Sequence, residues 1–207
     1  MTSRTATRRI AAQQQTEAER QGPAPRLPWA RVGVVAASLL VIGALVTVGL
    51  LTSRPVESAE ERTAPPFTLA ASDGTTVSLA QLRGGPVVLY FNEGAGCDSC
   101  LVQMAEIEKD PAFAEAGITV LPIVMNTAEQ INADRVRLGV QAPFLLDDGQ
   151  VSDAYGMLGT GMHAGLPGHG FVLVDEAGIQ RWSGSYPSMW LAPGELLRIV
   201  QDRLAGR

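Results

Sequence analysis

From Val32 to Leu51 the chain reads VGVVAASLLVIGALVTVGLL, twenty residues without a charge. Inside a bilayer every backbone N–H and C=O must find its partner within the segment, and about 20 residues at ~1.5 Å each span the ~30 Å of hydrocarbon. The run is therefore predicted to be one membrane-crossing helix, residues 32–51. A cleaved signal peptide would carry a shorter apolar region, of about 7–15 residues. Arg4, Arg8, Arg9, Arg20, Arg26 and Arg31 precede it, against Glu17 and Glu19. Basic residues beside a span stay in the cytoplasm, so residues 1–31 are expected as a cytoplasmic tail and the rest as extracytoplasmic. The whole chain has a net charge of −5, which leaves the exported part acidic. A nucleic-acid partner would need a basic folded domain, and that function is excluded.

Residues 52–64 (TSRPVESAEERTA) are polar, charged and aperiodic, which predicts a linker. Residues 65–207 are long enough for one hydrophobic core. FTLAASDGTTVSL places two apolar stretches around Asp73-Gly74, a hairpin signal. Pro86–Phe91 (PVVLYF) predicts a strand buried on both faces. The stretch CDSCLVQMAEIEKD carries Leu101, Met104 and Ile107 on one helical face and stops before Pro111. Ile118–Met125 predicts a second buried strand, with Pro122 arguing for a bulge or an edge. Thr127 and Gln130 form a capping box for the next helix, which Gly139 ends. Phe171–Trp182 reads as strand, turn and return strand, and a closing helix lines up Leu196, Leu197, Val200 and Leu204. Strands alternating with helices, then an antiparallel pair, imply an α/β fold: a mixed central sheet with helices on both faces, preceded by a hairpin and the single transmembrane helix.

The two cysteines, Cys97 and Cys100, fall between the first buried strand and the first turn of a helix. In an exported domain they are free to oxidise. A structural bridge closing so short a ring removes little unfolded-state entropy. Zinc would want four ligands, and the only histidines, His163 and His169, lie far along the chain. A redox pair is the third reading. There, the unpaired amides of the helix start favour the thiolate of Cys97, while Asp98 opposes it, so a moderate gain in acidity is expected. Cys100, one turn inside, would be shielded.

APPFTLAASDGTTVSLAQLRGGPVVLYF, the GCDSC that follows, and GLPGHGFVLVDEAG further on resemble membrane-tethered thioredoxin-fold proteins of the TlpA/ResA and alkyl hydroperoxide reductase/thiol-specific antioxidant (redoxin) group. The resemblance covers nearly the whole of residues 65–207 and implies a thioredoxin-like fold. It also implies thiol–disulfide exchange with a protein partner, with no cofactor beyond a redox-active disulfide. It makes Cys97 the nucleophile, Cys100 the resolving residue, Pro167 a cis-proline that aligns substrate, and Leu166 and Gly96 substrate contacts.

Departures from the family pattern matter too. Gly96, Asp98 and Ser99 stand where relatives carry a tryptophan before the first cysteine and often a proline between the two. A peroxidatic site, P-x-x-x-T-x-x-C, would put proline at 90 and threonine at 94, where this chain has Tyr90 and Gly94. Glu93 is a candidate proton acceptor. His169 is read as a loop histidine, as a proton-transfer group beside the disulfide, or with Cys97 and Cys100 as a copper ligand resembling the Sco-type chaperones. His163, Met157 and Met162 read as packing or loop residues.

Overall fold

The computed structural model describes residues 29–52, 54–160 and 164–206. Met162, His163 and the arginines before Arg31 lie outside them. The chain divides between Gly49 and Leu50 into two compact units. The described part of the first is helix α1 (Trp29–Thr52), whose stretch Arg31–Leu51 is long and apolar enough to cross a membrane.

The second unit is built on a mixed sheet. Its strands are β1 (Val56–Ser58), β2 (Arg62–Thr63), β3 (Thr68–Ala71), β4 (Thr76–Ser78), β5 (Val87–Phe91), β6 (Thr119–Val124), β7 (Leu145–Leu146), β8 (Gly170–Val174) and β9 (Ile179–Ser185). They lie in the order β1-β9-β8-β5-β6-β7-β3-β4, with β2 also on β9. The ladders β5–β6 and β6–β7 are parallel and the others antiparallel. The helices are α2 (Asp98–Lys109), α3 (Pro111–Glu115), α4 (Ala128–Leu138), α5 (Gln150–Ala154) and α6 (Pro193–Leu204). The expected α/β architecture with a leading hairpin and an apolar N-terminal helix is what forms.

Strand β5 is central because both of its faces are covered. Side chains alternate across a strand, so Val88 and Tyr90 enter one core with Leu101, Met104, Trp182 and Leu196, while Val87, Leu89 and Phe91 enter another with Phe67, Ile123, Tyr155 and Val172. That is why a continuous apolar run, not an alternating one, encodes it. Helix α4 starts on the Thr127–Gln130 box, with hydrogen bonds of 3.0 and 3.3 Å, and ends at Gly139 with φ of 73°.

Two expectations need correction, and a third, the bulge or edge at Pro122, resolves to the edge. Residues 52–64 are not a free linker: β1 and β2 within them pair with β9, and Glu57 accepts hydrogen bonds from the Trp182 indole at 3.3 Å and the Tyr186 hydroxyl at 2.9 Å. The segment reads as aperiodic because every residue of these two short edge strands is exposed, so no buried face imposes a pattern. Helix α6 buries Leu196, Ile199 and Val200 and leaves Leu204 exposed, so its stripe is displaced from the expected one. Pro122 sits within β6 without a bulge, its ladder to β5 running unbroken from Thr119 to Ile123. The N–H of Thr119 and the C=O of Ile123 both bond on the β5 side, to Pro86 O and Asn92 N, whereas Val124 O bonds toward β7 through Asp147 N. Pro122, between them, faces its missing N–H away from β5, and β7 pairs only from Ile123 onward. This part of β6 is a local edge, where a proline is tolerated.

Candidate active site

The loop from β5 to α2 is shaped by polar side chains that tie up its backbone. The buried Asn92 side chain accepts from Gly94 N at 3.0 Å and donates to Tyr90 O at 3.2 Å. Asn126, beyond β6, accepts from Ala95 N at 2.9 Å, and Asp134 on α4 accepts from Gly96 N at 2.9 Å. Gly94 adopts φ of 73°, and a Cβ there would overlap Asn126 Oδ1 and come within 2.8 Å of Val124 Cγ1. Only glycine fits, so the threonine of a peroxidatic motif is excluded on both conformation and space. Cys97 N then donates to Gly94 O at 2.9 Å, which turns the chain into α2.

Cys97 caps α2 and Cys100 lies in its first turn. The two are joined as a disulfide with Cα atoms 5.4 Å apart. Cys97 is half-buried, with Ser99 Oγ 3.3 Å from its sulfur, whereas Cys100 is fully buried.

Asp98 does not act on Cys97 as an isolated charge. Arg137 on α4 holds it through both guanidinium nitrogens, Nη1 lying 2.9 Å from Oδ2, and also grips Asp134 at 2.8 Å. The Arg137 bonds keep the Asp98 carboxyl below its ordinary range. The Gly96 N–H, then Arg137, do the same for Asp134, and Arg137 itself is pushed up. The expected opposition of Asp98 to a Cys97 thiolate is thus offset.

His169, expected most simply as a surface loop residue, is instead 3% exposed. Its Nδ1 lies 3.2 Å from the Tyr90 hydroxyl and 3.8 Å from Cys100 Sγ, and Tyr90 donates to Cys100 O at 3.0 Å. Burial pushes the imidazole down to about 4 and holds the Tyr90 phenol well above its usual value. His169 Nδ1 faces the Tyr90 hydroxyl, and among the described residues no group of three or more His, Cys, Asp or Glu is placed to hold a metal ion.

Pro167 is a second correction. Its peptide bond is trans, not cis. The backbone on either side is committed to a bridge with the Met157–Gly159 segment: Pro167 pairs with Leu158, Gly159 N donates to Leu166 O at 2.8 Å, and Gly168 N donates to Met157 O at 2.8 Å. The Leu166 carbonyl is therefore engaged within the chain, while its side chain is 43% exposed. Gly96 is exposed beside Cys97, and Glu93 is half-buried in the β5–α2 loop.

Tyr90, Asn126, Asp134 and Arg137 were not expected at the site. Only Tyr90 carried a signal, since its hydroxyl is a lone polar atom in a strand buried on both faces and must find a partner there.

The model of the AhpC/TSA family matches residues 61–183. The chain belongs to the AhpC/TSA family. A Mycobacterium tuberculosis protein, named as a candidate peroxiredoxin, is 34% identical over 121 residues, covering 56% of this chain and 77% of its own. The chloroplastic peroxiredoxin Q of Triticum aestivum is 29% identical over 143 residues, 67% of this chain and 64% of that one. Among solved structures, a candidate protein disulfide isomerase from Bacteroides thetaiotaomicron is similar at TM-score 0.54 and 26% identity, over 70% of this chain and 89% of that one. The chain is a redoxin-type thiol oxidoreductase, and its thioredoxin-like fold is that of its neighbours.

Proposed function

We propose that this AhpC/TSA protein is a membrane-tethered thiol–disulfide oxidoreductase that uses Cys97 and Cys100 on the extracytoplasmic side, with a protein disulfide or dithiol as substrate and a membrane or extracytoplasmic redox partner. The observation that carries the reading is the unequal exposure of two bonded sulfurs at one helix start: a reachable Cys97 and a fully buried Cys100. As a thiolate, Cys97 attacks a partner disulfide and expels one partner thiolate. Cys100 then attacks Cys97, the mixed disulfide breaks, and the electron pair leaves on the second partner sulfur. Two electrons pass from the dithiol to the partner, and the reverse sequence oxidises a partner dithiol. Gly96 and the Leu166–Pro167 segment are the proposed substrate contacts, and Glu93 is the proposed acceptor for the Cys97 proton. The apolar run Arg31–Leu51 and the arginines before it support an anchor with a cytoplasmic N-terminus.

Insulin or glutathione exchange by the full chain tests this. Cys97→Ser should abolish exchange, and Cys100→Ser should accumulate a mixed disulfide on Cys97. Wild-type rates equal to those of Cys97→Ser would refute the reading.

The names of the relatives favour a second reading, peroxide reduction. Cys97 thiolate would cleave the O–O bond to give a sulfenic acid and hydroxide, and Cys100 would condense with it, releasing water. Gly94 where threonine would stand argues against it. Hydrogen peroxide consumption by the dithiol form, with a thiol reductant present, decides between the two.

A further inference from the structure

Behind the buried sulfur of Cys100 stands a polar pair in an otherwise apolar wall. Tyr90 stacks on Phe171 with centroids 4.6 Å apart and meets the His169 ring edge-on at 5.1 Å. The Tyr90 hydroxyl has one proton and two neighbours that can take it, Cys100 O at 3.0 Å and His169 Nδ1 at 3.2 Å. His169 Nε2 is buried without a hydrogen-bond partner. Neither tautomer satisfies the ring: one leaves Nε2 as a bare acceptor, the other as an unanswered donor. Packing alone would be served better by an apolar side chain, because a buried unpaired polar atom loses its hydration for nothing. The ring is instead held by its backbone, whose C=O accepts from Tyr186 N at 2.7 Å, with Nδ1 facing Cys100 Sγ at 3.8 Å.

Closed as a disulfide, Cys100 has no proton to place. Opened, it must hold a proton or a charge at zero exposure, and His169 Nδ1 is the basic atom in contact with it. We propose that His169, oriented by Tyr90, is the proton acceptor of Cys100, so that a proton crosses between sulfur and ring each time the bond opens or closes. The proposal rests on the exchange reading and deepens it. In the mixed disulfide, the Cys100 S–H gives its proton to Nδ1. The freed sulfur pair attacks Cys97 Sγ, the bond from Cys97 to the partner breaks, and the departing thiolate is reprotonated from the imidazolium through solvent. Among the described residues, the titratable groups facing the ring are the Tyr90 phenol from β5, Cys100 from α2 and, across the Phe171 ring, Tyr186 beyond β9. With the disulfide closed, burial holds the ring near 4, and a thiolate at contact distance opposes that by favouring the imidazolium.

Histidine-ring NMR of the full chain in detergent reads this directly, since the chain has two histidines and His163→Gln assigns them. His169 should stay neutral down to about pH 4 in the disulfide form, and its midpoint should move up by more than about one pH unit on reduction. The same midpoint in both forms would overturn the proposal. His169→Asn keeps a hydrogen-bonding group toward Tyr90 without the proton affinity. It should slow resolution of a mixed disulfide on Cys97 on the order of 10²-fold and leave the initial alkylation of Cys97 unchanged. Unslowed resolution would likewise overturn it. A redox-linked shift in a protein that exchanges with no disulfide would uphold the pairing and sink the functional reading instead.

Discussion

Arg137 clasps the Asp98 carboxylate from a neighbouring helix, one residue away from the half-buried Cys97 of the disulfide. The pair is solvent-exposed, so its contribution to stability is small. Its influence is local, because it cancels a negative charge beside a thiolate. Arg137→Gln should therefore make reduced Cys97 less acidic, with iodoacetamide alkylation near pH 6 slowing roughly two- to fivefold. Asp98→Asn should move the rate the other way. Raising ionic strength should shrink both differences, as screening of exposed charges requires.

Gly94 faces Asn126 and Val124 so closely that no side chain fits, and its φ of 73° adds backbone strain for any L-residue. Gly94→Thr should cost about 2–4 kcal/mol in denaturant unfolding and slow disulfide exchange by displacing Cys97. Peroxidase activity should not appear, although the substitution restores the motif's residue type. A stable Gly94→Thr protein with faster peroxide turnover would reverse the assignment of activity.

The buried His169 links stability to pH. Unfolded, its ring takes a proton near 6.5, and folded, near 4, so the unfolded chain binds more protons between those values. The His169 contribution to the stability of the disulfide form should be lost as pH drops from about 6.5 to 4 and change no further below. At ~1.36 kcal/mol per pH unit the loss is about 3 kcal/mol. Urea midpoints across that range should flatten in His169→Asn. The carboxylates held low here, Asp73, Asp98, Asp134 and Asp175, lose their stabilisation only below about 3.8, outside the window.

A soluble fragment beginning at Pro65 would lack β1 and β2. It would bare the β9 edge, remove Glu57 from the buried Trp182 indole and break the 2.7 Å pair of Glu61 with Arg181. Compared with a fragment beginning at Arg54, it should melt several degrees lower and self-associate through the exposed edge. Differential scanning calorimetry and sedimentation velocity check the two effects separately.

The sequence exposed most of this fold because its signals were local. The β5 run, the Thr127–Gln130 box and the Asp73-Gly74 turn each state their geometry within a few residues. The segments misread depended on distant partners. Val56–Ser58 becomes a strand only because β9 offers a free edge, and Pro167 bridges to Leu158, nine positions away. The site divides the same way. The C-x-x-C spacing and the helix start lay within one stretch, whereas Arg137 reaches Asp98 across 39 positions and His169 meets Cys100 across 69. No local pattern records such meetings.

Pro122 carries a last consequence. With its ring where an amide hydrogen would be, β6 offers a carbonyl but no matching donor just ahead of the first residue of β7. A foreign strand sliding in to lengthen that ladder would meet a vacant rung at its first step. The free flank of β6 is thus closed to strand addition by its own sequence.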